Sequence, residues 1–316
     1  MKEEFYYLSR DGKTQIHAVE WMPACEVRGV LQICHGMVEY IERYHEFAEY
    51  MCGHGYYVVG HDHLGHGKSV TDEADYGYFP EDNGNQCVIG DIQQLRVITA
   101  RKYPGVPYMM MGHSMGSFLL RQYLTMYGDG LAGVIIMGTG YQPLPVLMAG
   151  QMICRVTALF KGWRYRSKFV DNLSFGSFNK RFEPSKTGRE WVTSDEEHQQ
   201  RYVGDPLCMF RFTLGGYYQM FEGMKTLNRR ESMAKIPKEL PVLFTAGADD
   251  PVGAFGKNVR KVYKRYKKAG CRTAVKLYAG LRHEILNETK REDVYKDLLR
   301  WCDRCLKMQA DRKEQE

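Results

Sequence analysis

The 316-residue chain carries 44 Lys and Arg against 38 Asp and Glu, a net charge of +6, with 44% hydrophobic and 26% charged residues. This composition excludes a wholly disordered chain and suits one α/β core with an insertion as well as it suits two domains. No run reaches the roughly 18 uninterrupted apolar residues of a membrane span, because Gln151 and Arg155 break the nearest, Leu144 to Phe160, and no signal-peptide h-region follows the charged opening Met1-Lys2-Glu3-Glu4.

In chain order, Phe5 to Leu8 and Ile16 to Trp21 flank an Asp11-Gly12 turn and predict an edge hairpin. Short apolar runs follow at Val30 to Cys34, Tyr57 to His61, Tyr108 to Met111, Gly133 to Met137, Val242 to Ala246 and Ala274 to Tyr278. Most are followed by a longer helical pattern. That alternation predicts a mostly parallel sheet with helices on both faces.

The first of these strands runs into His35-Gly36-Met37 and the second into His61-Asp62-His63-Leu64-Gly65-His66-Gly67. Three histidines and an acid so close together suggest a metal. The run leaves a strand end, however, where glycines and hydrogen-bonding side chains shape a turn, and the turn reading is preferred. No metal or cofactor is expected.

The third strand leads into Gly112-His113-Ser114-Met115-Gly116, a G-x-S-x-G pattern, and a helical pattern with Phe118, Leu119, Tyr123 and Leu124 leads out. The motif alone is weak, but strand, sharp turn and helix are the context that presents a serine oxygen above a sheet. Small residues at 112 and 116 let strand and helix approach around a strained serine. A serine hydroxyl needs a base to remove its proton, so the motif predicts a histidine within reach.

From Tyr141 to Lys235 the strand–helix rhythm stops, far beyond the usual 2–6 residue connection. The segment is rich in Met and aromatics, among them Met148, Met152, Trp163, Trp191 and Phe221, with helical spacing in parts. It predicts an inserted helical lid over 141–235, between core segments 1–140 and 236–316. Any single one of these side chains serves the lid's own packing more readily than a ligand.

The strand Val242 to Ala246 ends in Gly247-Ala248-Asp249-Asp250-Pro251-Val252. Two aspartates compete for the role of orienting acid. Proline biases its predecessor towards extended geometry, which lets Asp250 continue outward from the strand end and leaves Asp249 to cap or face solvent. Next, Lys257 to Arg272 carries eight Lys or Arg and no acid, with Val259, Val262, Tyr263 and Tyr266 at helical spacing. A solvated basic face is the ordinary reading, and an anionic membrane surface is the alternative. No nucleic-acid module accompanies the charge.

With the chain order serine, acid, histidine, only His198 and His283 of ten histidines follow Ser114, and only His283 follows the last strand. His198 lies in a polar stretch and is predicted to be a surface residue. Backbone N–H donors for an oxyanion are expected from Met115, after the serine, and from Met37, after His35-Gly36. His35 precedes the serine and is read as a brace for that loop. Nine cysteines, scattered from Cys25 to Cys305 and odd in number, predict a reducing cytoplasm, and Cys302-x-x-Cys305 is read as part of a helix.

Five ordered blocks resemble the monoacylglycerol lipase and lysophospholipase group of α/β-hydrolases. They are Cys34-His35-Gly36-Met37-Val38-Glu39, Gly60 to Ser69, Gly112-His113-Ser114-Met115-Gly116, Gly247 to Val252, and Arg282-His283-Glu284. The resemblance implies an α/β-hydrolase fold, a triad of Ser114, Asp250 and His283, an oxyanion hole of the Met37 and Met115 N–H groups, and a monoacyl lipid substrate, a monoacylglycerol or a lysophospholipid, or another small ester, cleaved through an acyl-enzyme. A proline-aminopeptidase-like peptidase and a small-ester carboxylesterase are rivals, and a silent binding protein on the same scaffold is a third.

Overall fold

The computed structural model describes residues 1–313. The predicted hairpin forms β1 (Lys2–Leu8) and β2 (Gln15–Trp21), and the six apolar runs form β3 (Gly29–Cys34), β4 (Tyr56–His61), β5 (Tyr108–His113), β6 (Leu131–Met137), β7 (Val242–Gly247) and β8 (Thr273–Tyr278). The eight strands make one sheet in the order β1-β2-β4-β3-β5-β6-β7-β8. Only the β1–β2 and β2–β4 pairs are antiparallel, as expected for a hairpin added to the edge of a parallel sheet.

Strands β3 to β7 are buried along their whole length, which is why they read as unbroken apolar runs rather than alternating ones. On one face α2 (Gly84–Lys102), α3 (Met115–Tyr127) and α9 (Lys257–Lys268) supply Ile92, Leu120 and Val262 to the core. On the other, α1 (His45–Cys52) and α10 (Arg291–Lys313) supply Phe47, Leu298 and Trp301. Cys302 and Cys305 are plain members of that second layer; a side chain at Gly133 on β6 would strike Cys305 Sγ. All nine cysteines are unpaired.

Between β6 and β7 the chain builds α4 (Leu144–Lys161), α5 (Lys168–Phe175), α6 (Glu196–Gly204), α7 (Leu214–Thr226) and α8 (Arg230–Ala234), with no strand. The α4 helix is the apolar stretch noted in the sequence, long and apolar enough by composition to cross a membrane. It packs on α7 through Leu147, Gln151, Cys154 and Ala158, with Gln151 bonded to the Tyr218 carbonyl at 3.1 Å and to Glu222 at 2.8 Å. Its outer face leaves Met148, Met152, Val156, Leu159 and Phe160 exposed. On α9 the apolar residues Val259, Val262 and Tyr266 are buried and the basic face is turned outward, as the sequence pattern required.

Candidate active site

Ser114 occupies the turn between β5 and α3 at φ 52° and ψ −119°, a conformation that costs energy for a residue with a side chain and persists only where its surroundings enforce it. Here they do. Its N–H donates to the Met137 carbonyl at 3.0 Å, which ties the turn to the end of β6. A Cβ at Gly116 would collide with the Cys34 carbonyl, and one at Gly112 with the Gly116 carbonyl. The two glycines therefore permit the close approach of β3, β5 and α3 that holds the serine up.

Asp250 leaves β7 and is fully buried. Its Oδ1 accepts the Val252 N–H at 2.8 Å and lies 3.0 Å from His283 Nδ1, although the ring N–H is not well aligned with it. Asp249, one residue earlier, is partly exposed; among the described residues its carboxylate has no hydrogen-bond or ion-pair partner. His283 is 4% exposed, in the loop after β8. It and Ser114 line the same small recess. The structure thus brings Ser114, Asp250 and His283 to one end of the sheet and leaves Asp249 aside.

The loop after β3 is held by His35, whose Nδ1 donates to the Gly36 carbonyl at 2.7 Å and whose Nε2 accepts the His63 N–H at 2.9 Å. Met37 follows, beside Ser114, and among the described residues neither its N–H nor that of Met115 has an acceptor within the protein. The histidine run after β4 is a buried turn. His63 Nδ1 meets His61 Nε2 at 3.0 Å and His66 Nδ1 donates to the Leu64 carbonyl at 2.8 Å. Burial lowers these rings, His61 to about 3 and His66 to about 4, so they stay neutral.

One assignment is corrected. His198 is 9% exposed rather than on the surface, because it lies with Gln199 and Tyr202 on the buried side of α6, whose N-cap Asp195 accepts the His198 N–H at 3.1 Å. It takes no part in the site.

Sequence reasoning missed a buried polar cluster behind the serine. Glu39 accepts from Tyr44 Oη at 2.9 Å, meets His113 Nδ1 at 3.0 Å, and also accepts the Gly36 N–H. Arg43 binds both oxygens of Glu284, at 2.6 and 2.7 Å, and Glu39 at 3.1 Å. His113 Nε2 faces the His283 carbonyl at 3.3 Å. Burial by itself would raise the Glu39 carboxyl, but the His113 hydrogen bond, with the charges of His113 and Arg43, holds it well below the usual carboxylate range. Burial would likewise lower His113, and the Glu39 hydrogen bond and charge lift it above its ordinary value. This cluster joins the Met37 loop, the serine turn and the His283 loop. Three of its members, Glu39, His113 and Glu284, lay within the recognised blocks, but nothing local assigned them to one another or to Arg43 and Tyr44.

Two cavities meet at Ser114 and Met37. One is an apolar chamber of about 400 Å³ roofed by the insertion, with Phe118, Leu147, Phe178, Met220 and Phe221 in its walls. The other is a recess of about 50 Å³ that holds His283, Trp191, Arg189 and Asp171.

The sheet order, the two helical layers and a serine on a strained strand-to-helix turn define an α/β-hydrolase. The family model described as serine aminopeptidase S33 matches residues 25–290, and the chain belongs to that family of serine hydrolases. It is similar to a monoglyceride lipase homolog of monkeypox virus, at 25% identity over 90% of this chain and 93% of that one. It is also similar to a monoacylglycerol lipase of Mycolicibacterium smegmatis, at 25% over 89% and 90%. Among solved structures, a thermostable carboxyl esterase from Bacillus coagulans in complex with glycerol superposes with a TM-score of 0.89 at 29% identity, covering 96% of this chain and 99% of that one. A lipase in an open form gives 0.87 at 26%, covering 97% and 99%. The resemblance read from the five blocks is borne out.

Proposed function

We propose that the protein hydrolyses carboxylic esters of monoacyl lipids, monoacylglycerols foremost, through an acyl-enzyme. The observation that carries this reading is the apolar chamber of about 400 Å³ that ends on Ser114. Such a volume lined by Met, Leu and Phe suits an acyl chain, and each buried CH₂ is worth about 0.8 kcal/mol. The names of the viral and mycobacterial relatives agree.

Ser114 attacks the ester carbonyl while His283 takes its proton. The alcohol leaves with a proton returned by His283, and water then repeats the sequence to release the acid. Asp250, beside His283 Nδ1, fixes the tautomer that leaves Nε2 free as the base. The N–H groups of Met37 and Met115 hold the oxyanion, and no cofactor is needed. Segment 141–235 acts as a lid on a core formed by 1–140 and 236–316.

The exposed apolar face of α4 supports contact with a lipid surface. The basic α9 stands beside the start of α4, Lys261 Nζ lying 3.7 Å from the Tyr141 ring, so an anionic surface would suit it. Nine free thiols agree with a cytoplasmic setting.

The test is Ser114→Ala assayed on monoacylglycerols, p-nitrophenyl esters and aminoacyl amides. Loss of ester turnover by about 10⁴–10⁶ is expected, with the melting temperature kept. More than a tenth of the wild-type rate, or amides preferred over esters, overturns the reading.

A further inference from the structure

The small recess beside Ser114 is lined by the acids Glu39, Asp171 and Glu284, by His113, which is paired with Glu39, and by Arg189. The three acids are occupied. Glu39 and Glu284 share Arg43 and have the partners given above. Asp171 accepts from Tyr217 Oη at 2.8 Å and lies 3.3 Å from Arg211 Nε. The Arg189 guanidinium differs: among the described residues it has no hydrogen bond, no ion pair and no aromatic ring beneath it.

Its backbone, by contrast, is firmly held. The Arg189 N–H donates to Thr187 Oγ1 at 3.1 Å and its carbonyl accepts the Val192 N–H at 3.0 Å. The Glu190 carboxylate gathers the N–H groups of Lys186 and Thr187, both at 2.6 Å, with Asn179 at 2.7 Å and Ser185 at 2.8 Å. The next turn of chain is bonded to the His283 loop, where Val192 accepts the Glu284 N–H at 2.8 Å. The hydrogen-bonded loop therefore holds half-buried Arg189, whose five guanidinium donors form a fork that matches an oxyanion, in the lining of the recess that Ser114 shares.

The two cavities divide an ester between them. The acyl chain fills the large chamber, so the alcohol departs on the side of the recess, whose roughly 50 Å³ holds a compact polar group and no second chain. The cluster behind it adds little repulsion to an incoming anion, since Arg43 and His113 face Glu39 and Glu284.

We infer that Arg189 is a specificity-determining residue that binds a phosphate carried by the leaving alcohol, so that the site favours monoacylglycerol phosphates over the neutral monoacylglycerols of equal chain length. This rests on the ester-hydrolase reading above and narrows its substrate class. Arginine binds phosphate through two parallel charge-assisted hydrogen bonds, and only an anion close to the ester can reach a recess of this size.

The experiment compares kcat/KM on monodecanoylglycerol, monodecanoylglycerol phosphate and p-nitrophenyl decanoate, below their micellar concentrations. The proteins are the wild type, Arg189→Met, Arg189→Lys and, as a control for bulk charge, Arg260→Met on the outer face of α9. Wild type should prefer the phosphate over the neutral lipid by about tenfold or more, as for a hydrogen bond to a charged group. Arg189→Met should bring that ratio near one, mainly through KM, Arg189→Lys should keep part of it, and Arg260→Met should keep all of it. A wild type indifferent to phosphate, a ratio unchanged in Arg189→Met, or an equal loss on all three esters overturns the inference. Turnover of p-nitrophenyl decanoate by the wild type keeps the hydrolase reading in place whichever way the ratio falls.

Discussion

Trp191 of the insertion lies on the ring of His283, with centroids 5.1 Å apart and planes inclined by 44°, and its carbonyl accepts the His283 N–H at 3.4 Å. The proposed base is thus held from one side by the core acid Asp250 and from the other by the insertion. The aromatic contact is worth about 0.5–1.5 kcal/mol, and the same amount lost from an aligned transition state slows turnover about 2–13-fold. Trp191→Ala should lower kcat to that extent and Trp191→Phe should restore most of it. Full activity in the alanine variant would reduce Trp191 to packing within the insertion.

Asp250 and Asp249 are adjacent in sequence and differ in burial, and only Asp250 reaches His283. Asp250→Asn should cut kcat by roughly 10⁴, the loss seen when the orienting acid of a comparable triad is replaced by its amide. Asp249→Asn should stay within a few-fold of wild type. Steady-state kinetics on one p-nitrophenyl ester decides the matter, and the reverse ranking would remove Asp250 from the mechanism.

Asp91 on α2 is fully buried, accepting from Ser9 Oγ at 2.8 Å and from the Arg10 N–H at 2.6 Å. Burial outweighs these donors and pushes its carboxyl up from 3.8 to about 7. A carboxyl raised on folding favours the folded state while protonated, so its contribution is complete below pH 4 and is lost as pH rises towards 7. Asp91→Asn, a neutral isostere, should remove that dependence. In urea unfolding, the stability of wild type relative to Asp91→Asn should fall between pH 4 and pH 8 by roughly 2–4 kcal/mol. A difference that stays constant across this range would mean that Asp91 is ionised in the fold at both ends of it.

Much of this was legible in the sequence, because strands buried on both faces must be apolar runs and a serine raised above a sheet needs small residues at 112 and 116. Those constraints are local, and so β3 to β8 and the serine turn fall within three residues of where the pattern put them. The choice of His283 and Asp250 followed from chain order, from Pro251 and from the resemblance of the five blocks, which are also visible along the chain. The cluster of Glu39, Arg43, His113 and Glu284 was not legible. Arg43 and Glu284 are 241 residues apart, and they meet because β3 lies beside β5 and the loops of β3, β5 and β8 end on the same side. A hydrophobic pattern states which face of an element is buried and is silent on which neighbour buries it. For the same reason the burial of His198, the seat of Trp191 on His283 and the placement of Arg189 in the recess that Ser114 lines were decided only when the insertion folded back across the sheet's end.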